Sequence, residues 1–200
     1  MQSHELAIMC IGRYLIDSAD KVDKSKGLEV YVDADFAGGW VSADANSADN
    51  VLSRTGFIIC YANCPIIWCS KLQTEIALST AEAEYIAMSR ALRETIPLMN
   101  LMREINVIFH LHIPKPKFFL KVHEDNQSCI AMAKNPKFTP RTKHIAIKYH
   151  HFRKHVRSHS NPDGFIDICY CPTQEQIADI FTKPTSDDIF WKLRKMLMGW

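Results

Sequence analysis

Apolar and polar positions change period several times along the chain, and each change predicts an element. Leu28, Val30, Tyr31 and Val32 form a short apolar run broken only by Glu29, the pattern of a strand covered on both faces. The run ends in Asp33-Ala34-Asp35-Phe36-Ala37-Gly38, which delivers two aspartates into a glycine-containing turn. Residues 55–61 and 66–70 repeat the strand pattern, and Ala62-Asn63-Cys64-Pro65 between them reads as a hairpin turn. Ala81, Tyr85, Met88, Leu92, Ile96, Met99 and Met102 then recur at helical spacing and predict a long helix over 79–105. Ser79 with Glu82 three residues later is a capping box at its start. Pro97 is expected to kink or split the helix, because it lacks a backbone donor.

The remaining pattern is simpler. A strand is expected over 118–124, a short helix over 127–133, a helix from Lys143 onward and a last strand over 165–170. A helix over 172–181 and an amphipathic helix over 187–197 follow. Upstream, residues 4–16 read as a short helix and 17–27 as a polar linker. The polar connection over 36–54 exceeds the usual loop length, which marks it as functional or mobile. Three consecutive strands followed by alternating units predict an α/β fold, a mixed sheet antiparallel at one edge with helices on its faces. A chain of 200 residues, 47% of them hydrophobic, suits one domain, or one domain with appendages.

Net charge changes this picture little, since it is only +2. Its distribution changes it more. Residues 134–157 hold eight Lys or Arg and four His with no acid, a basic stripe in a nearly neutral chain. Solvated charge is the ordinary reading of isolated lysines, but eight bases without one acid favour a surface that tracks phosphates. No stretch resembles a secretory signal or a membrane span, so an intracellular location is expected. The seven cysteines then read as reduced core thiols. Cys60, Cys64 and Cys69 do not have the usual zinc-ligand spacing.

Four carboxylates stand where chemistry could gather them: Asp33 and Asp125 at strand ends, Glu84 on the flank of the long helix's buried stripe, and Asp179 in a later helix. Asp33 and Asp125 become neighbours if their strands pair in parallel. Converging carboxylates need a counter-charge, and Mg²⁺ is the hard ion that prefers oxygen. Each residue also has a plainer reading, as a cap, a turn residue or a solvated helix position. Spacing alone leaves both open.

The motifs themselves carry a resemblance. Tyr31-Val32-Asp33-Ala34-Asp35, Leu78-Ser79-Thr80-Ala81-Glu82-Ala83-Glu84-Tyr85, Glu124-Asp125-Asn126-Gln127, Arg141-Thr142-Lys143-His144-Ile145 and Ile177-Ala178-Asp179-Ile180-Phe181-Thr182-Lys183 occur in order. As a set they resemble the ribonuclease H domain of copia-type LTR retrotransposon polyproteins. The resemblance implies a five-stranded ribonuclease H-like sheet and metal-dependent hydrolysis of the RNA strand of RNA–DNA hybrids during reverse transcription. It implies that Asp33, Glu84, Asp125 and Asp179 are catalytic residues and ligands of two Mg²⁺ ions, with Mn²⁺ as a substitute. It also implies nucleic-acid contacts from Asn126, Gln127, Lys134, Lys137, Arg141, Lys143, His144, Lys148 and Arg153. The expected domains are 1–27 (the end of a reverse transcriptase, and a linker), 28–185 (ribonuclease H) and 186–200 (a C-terminal amphipathic helix). A reverse transcriptase is the expected partner, covalent or not, in the cytoplasm, virus-like particles or nucleus. Ala146 departs from the family pattern, where an aspartate is usual, and motivates the alternative of a non-catalytic binding module.

Overall fold

A computed structural model describes residues 23, 26–39, 51–109, 120–135, 145 and 147–199. The helix expected over 4–16 lies outside these residues, as do Lys137, Arg141, Lys143, His144 and Ala146. Five strands form one open sheet: β1 Leu28–Asp35, β2 Arg54–Tyr61, β3 Cys64–Leu72, β4 Leu120–Glu124 and β5 Ile166–Tyr170, in the order β3-β2-β1-β4-β5. β1–β2 and β2–β3 are antiparallel, whereas β1–β4 and β4–β5 are parallel. The sheet is therefore mixed, and antiparallel on the β3 side, as the order of elements requires.

The hairpin is tighter than expected. Only Ala62 and Asn63 connect β2 to β3, both with positive φ (51° and 66°), so Cys64 and Pro65 belong to the strand. That backbone matches the twist of the strands it joins. Pro65 is tolerated because β3 is an edge strand and the ladder shifts register beside it.

Helices cover both faces of the sheet. On one face lies α1, Thr80–Ile108, with Tyr85, Met88, Leu92 and Met99 buried against Val30, Val32, Phe57 and Val122. Ser79 caps it, its hydroxyl accepting from the Glu82 backbone N–H at 3.2 Å, while the Glu82 carboxylate accepts from Leu78 N–H at 2.8 Å. The helix runs through Pro97 without splitting. Burial over its first three turns is broader than a stripe: Glu82 through Ser89 are all buried. α2, Gln127–Lys134, packs on the same face, capped by the Asn126 side chain, which accepts from Cys129 N–H at 3.0 Å. On the opposite face Ile58 and Cys60 meet Ile177 and, from α3 (Asp187–Met198), Leu193.

Two helical expectations give way to 3-10 turns. The segment expected to be helical from Lys143 onward holds turns at Ile147–His150 and Arg153–His155. Its anchors are long-range: the Tyr85 hydroxyl meets His150 Nδ1 at 2.8 Å, Phe152 is fully buried against Tyr85, and Val156 bridges to Ile166 of β5. A regular helix would not point those three side chains at one helix and one strand. The helix expected over 172–181 is likewise two turns, Thr173–Glu175 and Ile177–Phe181, broken at Gln176. The Gln176 carboxamide is fully buried and donates to the carbonyls of Val32 at 2.9 Å and His123 at 3.3 Å, so the chain bends to the sheet there.

Candidate active site and metal centre

The parallel register of β1 and β4 aligns Leu28 with Leu120 and Tyr31 with His123. Continuing it brings Asp33 level with Asp125, at the carboxyl ends of adjacent strands. α1 packs on β1 and contributes Glu84 from its second turn, and the Ile177–Phe181 turn contributes Asp179 from the other face. Gly56 of β2, opposite Asp33, makes this approach possible. A Cβ there would lie 2.5 Å from Thr182 Cγ2 and 3.0 Å from the Ala178 carbonyl.

All four expected carboxylates meet at this end of the sheet, joined by one that the sequence reading left out. One oxygen each from Asp33, Asp125 and Asp179 lie within 4.8 Å of one another, and so do oxygens from Glu84, Glu124 and Asp125. The two triads share Asp125. Glu124 is the unexpected member, fully buried at the end of β4. Strand alternation was the signal for it, since Leu120, Val122 and Glu124 share the face toward α1. Among the described residues these two groups are the ones able to hold a metal, and Cys60, Cys64 and Cys69 are not among them.

Burial and crowding set the electrostatics. Two ionised carboxylates 4.8 Å apart repel by roughly 3–4 kcal/mol at a typical protein dielectric. Burial, then the charges of Glu124, Asp33 and Asp125, push the Glu84 carboxyl up to about 11. Burial and the neighbouring Asp33 push Asp179 up to about 7. Glu124 is raised well above the ordinary range, chiefly by burial. Burial also raises Asp33, against the opposing Thr182 hydroxyl and Lys183 ammonium.

Three further residues, whose role here the sequence reading did not identify, hold the carboxylates in place. Thr182 Oγ1 donates to Asp33, and Thr173 Oγ1 donates to Asp125 at 2.8 Å. Lys183 Nζ lies 3.1 Å from Asp179 and 3.9 Å from Asp33. Burial works against the charge on Lys183, but Asp33 and Asp179 outweigh it and raise its pKa. An all-oxygen donor set with one ammonium for five carboxylates is an anionic pocket suited to hard divalent cations.

The expected nucleic-acid residues scatter around this pocket. Asn126 and Gln127 open α2 immediately beside Asp125, Gln127 exposed and the Asn126 side chain engaged in the cap. Lys134 and Arg153 line a cleft of about 490 Å³ with His150 and Lys154, at the other end of α2. Arg153 is half-buried and donates to the carbonyls of Met132 (3.0 Å) and Asn135, so it also ties the end of α2 to the basic segment. Lys148 is exposed and pairs with Glu75.

Comparison with known proteins places the chain among mobile-element proteins. It is 35% identical over 172 residues to the retrovirus-related Pol polyprotein from transposon TNT 1-94 of Nicotiana tabacum, a match covering 86% of the chain. It is 30% identical over 194 residues to that from transposon RE1 of Arabidopsis thaliana, covering 94%. The chain spans only 11% and 12% of those polyproteins. Among solved structures it superposes on the N-terminal RNase H domain of Rv2228c from Mycobacterium tuberculosis. The TM-score is 0.50 at 10% identity, covering 84% of this chain and 98% of that one. It also superposes on LC11-RNase H1 isolated from compost, with a TM-score of 0.50 at 14% identity, covering 78% and 93%. No family model matches.

Proposed function

Because the chain belongs with the Pol polyproteins of copia-type retrotransposons and carries the ribonuclease H fold, we propose that it is a metal-dependent endonuclease cutting the RNA strand of RNA–DNA hybrids. The observation that carries this reading is the pair of carboxylate triads sharing Asp125 at the carboxyl ends of β1 and β4. Asp33, Glu84, Asp125 and Asp179 hold the cations, Mg²⁺ or Mn²⁺. Bound divalent cations supply an activated water and neutralise charge on the phosphate.

The chain's own residues supply position. Thr182 and Thr173 each donate to one carboxylate, of Asp33 and Asp125, and so fix its position. Gln176 pins the Asp179 turn to the central strands, so the fourth carboxylate cannot drift. Lys183 offsets negative charge on the Asp33 and Asp179 side. The basic segment, with Lys134 and Lys154 at the cleft, holds the backbone phosphates by charge alone, which gives salt-dependent and sequence-independent affinity. A reverse transcriptase elsewhere in the same polyprotein is the natural source of the hybrid.

The test is cleavage of a labelled RNA–DNA hybrid with Mg²⁺, beside EDTA and Asp125→Asn controls. Cleavage that disappears in both controls is the expected result. A hybrid left intact, while salt-sensitive binding survives, would overturn hydrolysis in favour of a binding module.

A further inference from the structure

Glu124 stands apart from the four carboxylates assigned to the cations, and its surroundings call for a role. It closes β4 with no solvent exposure, its side chain on the α1 face. Its Oε1 accepts the Asn126 backbone N–H at 3.0 Å, the Cys129 thiol stands beside the carboxylate as a weak donor, and no N–H or O–H donor reaches its buried Oε2. Glu84, 3% exposed, also buries an Oε2 with no partner. These two acids and Asp125 bring ligand oxygens within 4.8 Å of one another. Anchoring Asn126 does not require a charge: any neutral acceptor would serve, and a buried polar group with unused acceptor capacity is unfavourable unless something occupies it. Two such buried oxygens, on carboxylates whose ligand atoms gather with that of Asp125 within 4.8 Å, describe a place for a cation.

We propose that Glu124 is a fifth metal ligand, joining Glu84 and Asp125 around one divalent cation while Asp33, Asp125 and Asp179 surround the other. Asp125 belongs to both groups of carboxylates. The division of labour follows the two faces of the sheet: the first ion is held from the side of the Ile177–Phe181 turn, the second from the side of α1. Three carboxylates around one ion make the second position strongly anionic and selective for a hard cation. This inference rests on the hydrolase reading only for the class of cation. Binding can be measured without turnover.

The experiment is Mn²⁺ binding to the whole chain, by calorimetry and by the electron paramagnetic resonance signal of free Mn²⁺. Glu124→Gln preserves shape and an acceptor for Asn126. It is expected to bind one Mn²⁺ as the wild type does and the other at least about tenfold more weakly. Asp179→Asn should weaken the opposite ion, so the two variants lose different sites and the double variant loses both. Glu124→Asp, which keeps the charge but withdraws it by one methylene, is judged by the same criterion should the Gln variant fail to fold. Mn²⁺ binding to the folded variant that matches wild type in number and affinity would overturn the proposal, as would a wild type that binds no Mn²⁺. A wild-type chain that binds two Mn²⁺ yet leaves the hybrid intact would sink the hydrolase reading while leaving Glu124 a ligand.

Discussion

Gly56→Ala tests whether the site is assembled by close packing of the Ile177–Phe181 turn on β2. The new Cβ would stand 2.5 Å from Thr182 Cγ2 and 3.0 Å from both the Ala178 carbonyl and Phe181 Cβ, whereas ordinary contacts begin at 3.4 Å. The turn must therefore retreat by about 0.9 Å, the difference between 3.4 and 2.5. It has little room, because Ile177 and Ala178 are buried and Ile177 packs with Ile58, Cys60 and Leu193 beneath the sheet. Overpacking of this kind costs about 1–3 kcal/mol. For a chain of this length that lowers Tm by roughly 3–10 °C. The same retreat carries Asp179 away from Asp33, and a misplacement near 1 Å costs about 100-fold in rate. Thermal melts and hybrid cleavage should be measured on Gly56→Ala, on Thr182→Ser, and on the double variant. Serine removes the offending methyl but keeps the hydroxyl that donates to Asp33. The double variant should regain at least half of both losses, a positive coupling between sites in contact. A Gly56→Ala chain with wild-type Tm and activity would refute the reasoning, and so would strictly additive effects.

Two further outcomes follow from the same geometry. Gln176→Leu removes two donors from buried carbonyls and should cost about 2–4 kcal/mol; Gln176→Glu should fare no better, since a carboxylate cannot donate, and chemical denaturation of both variants checks this. In EDTA, the raised carboxyls favour the fold most below their ordinary values of 3.8 and 4.5, and that advantage is lost as pH climbs through about 7 for Asp179. The Tm gained on adding Mg²⁺ should accordingly grow between about pH 5 and about pH 8. A pH-independent gain would show that the cation binds elsewhere.

How much of this was legible beforehand depends on the range over which each feature is encoded. Periodicity is local, so the sequence alone determined the five strands, the long helix with its Ser79 cap, and the placing of Asp33 and Asp125 at strand ends. Strand order then made those two aspartates neighbours, because a parallel pair ends its strands on the same side. Glu124 escaped notice because its neighbour Asp125 already accounted for the motif. Only the packing of α1 on β1, over the sheet face that β4 shares, turns an alternating position into a fifth carboxylate beside Glu84. The two 3-10 segments escaped for a related reason. Gln176 bonds to Val32 across 144 residues of sequence, and Tyr85 to His150 across 65. Contacts of that span override local helix preference and leave no periodic trace. Thr182 and Lys183 become parts of the site only because Gly56, on a strand more than a hundred residues away, leaves room for their turn. Local chemistry chose the elements and their ends. Which carboxylates come together was decided by the faces from which those elements meet, and that is a property of the tertiary fold.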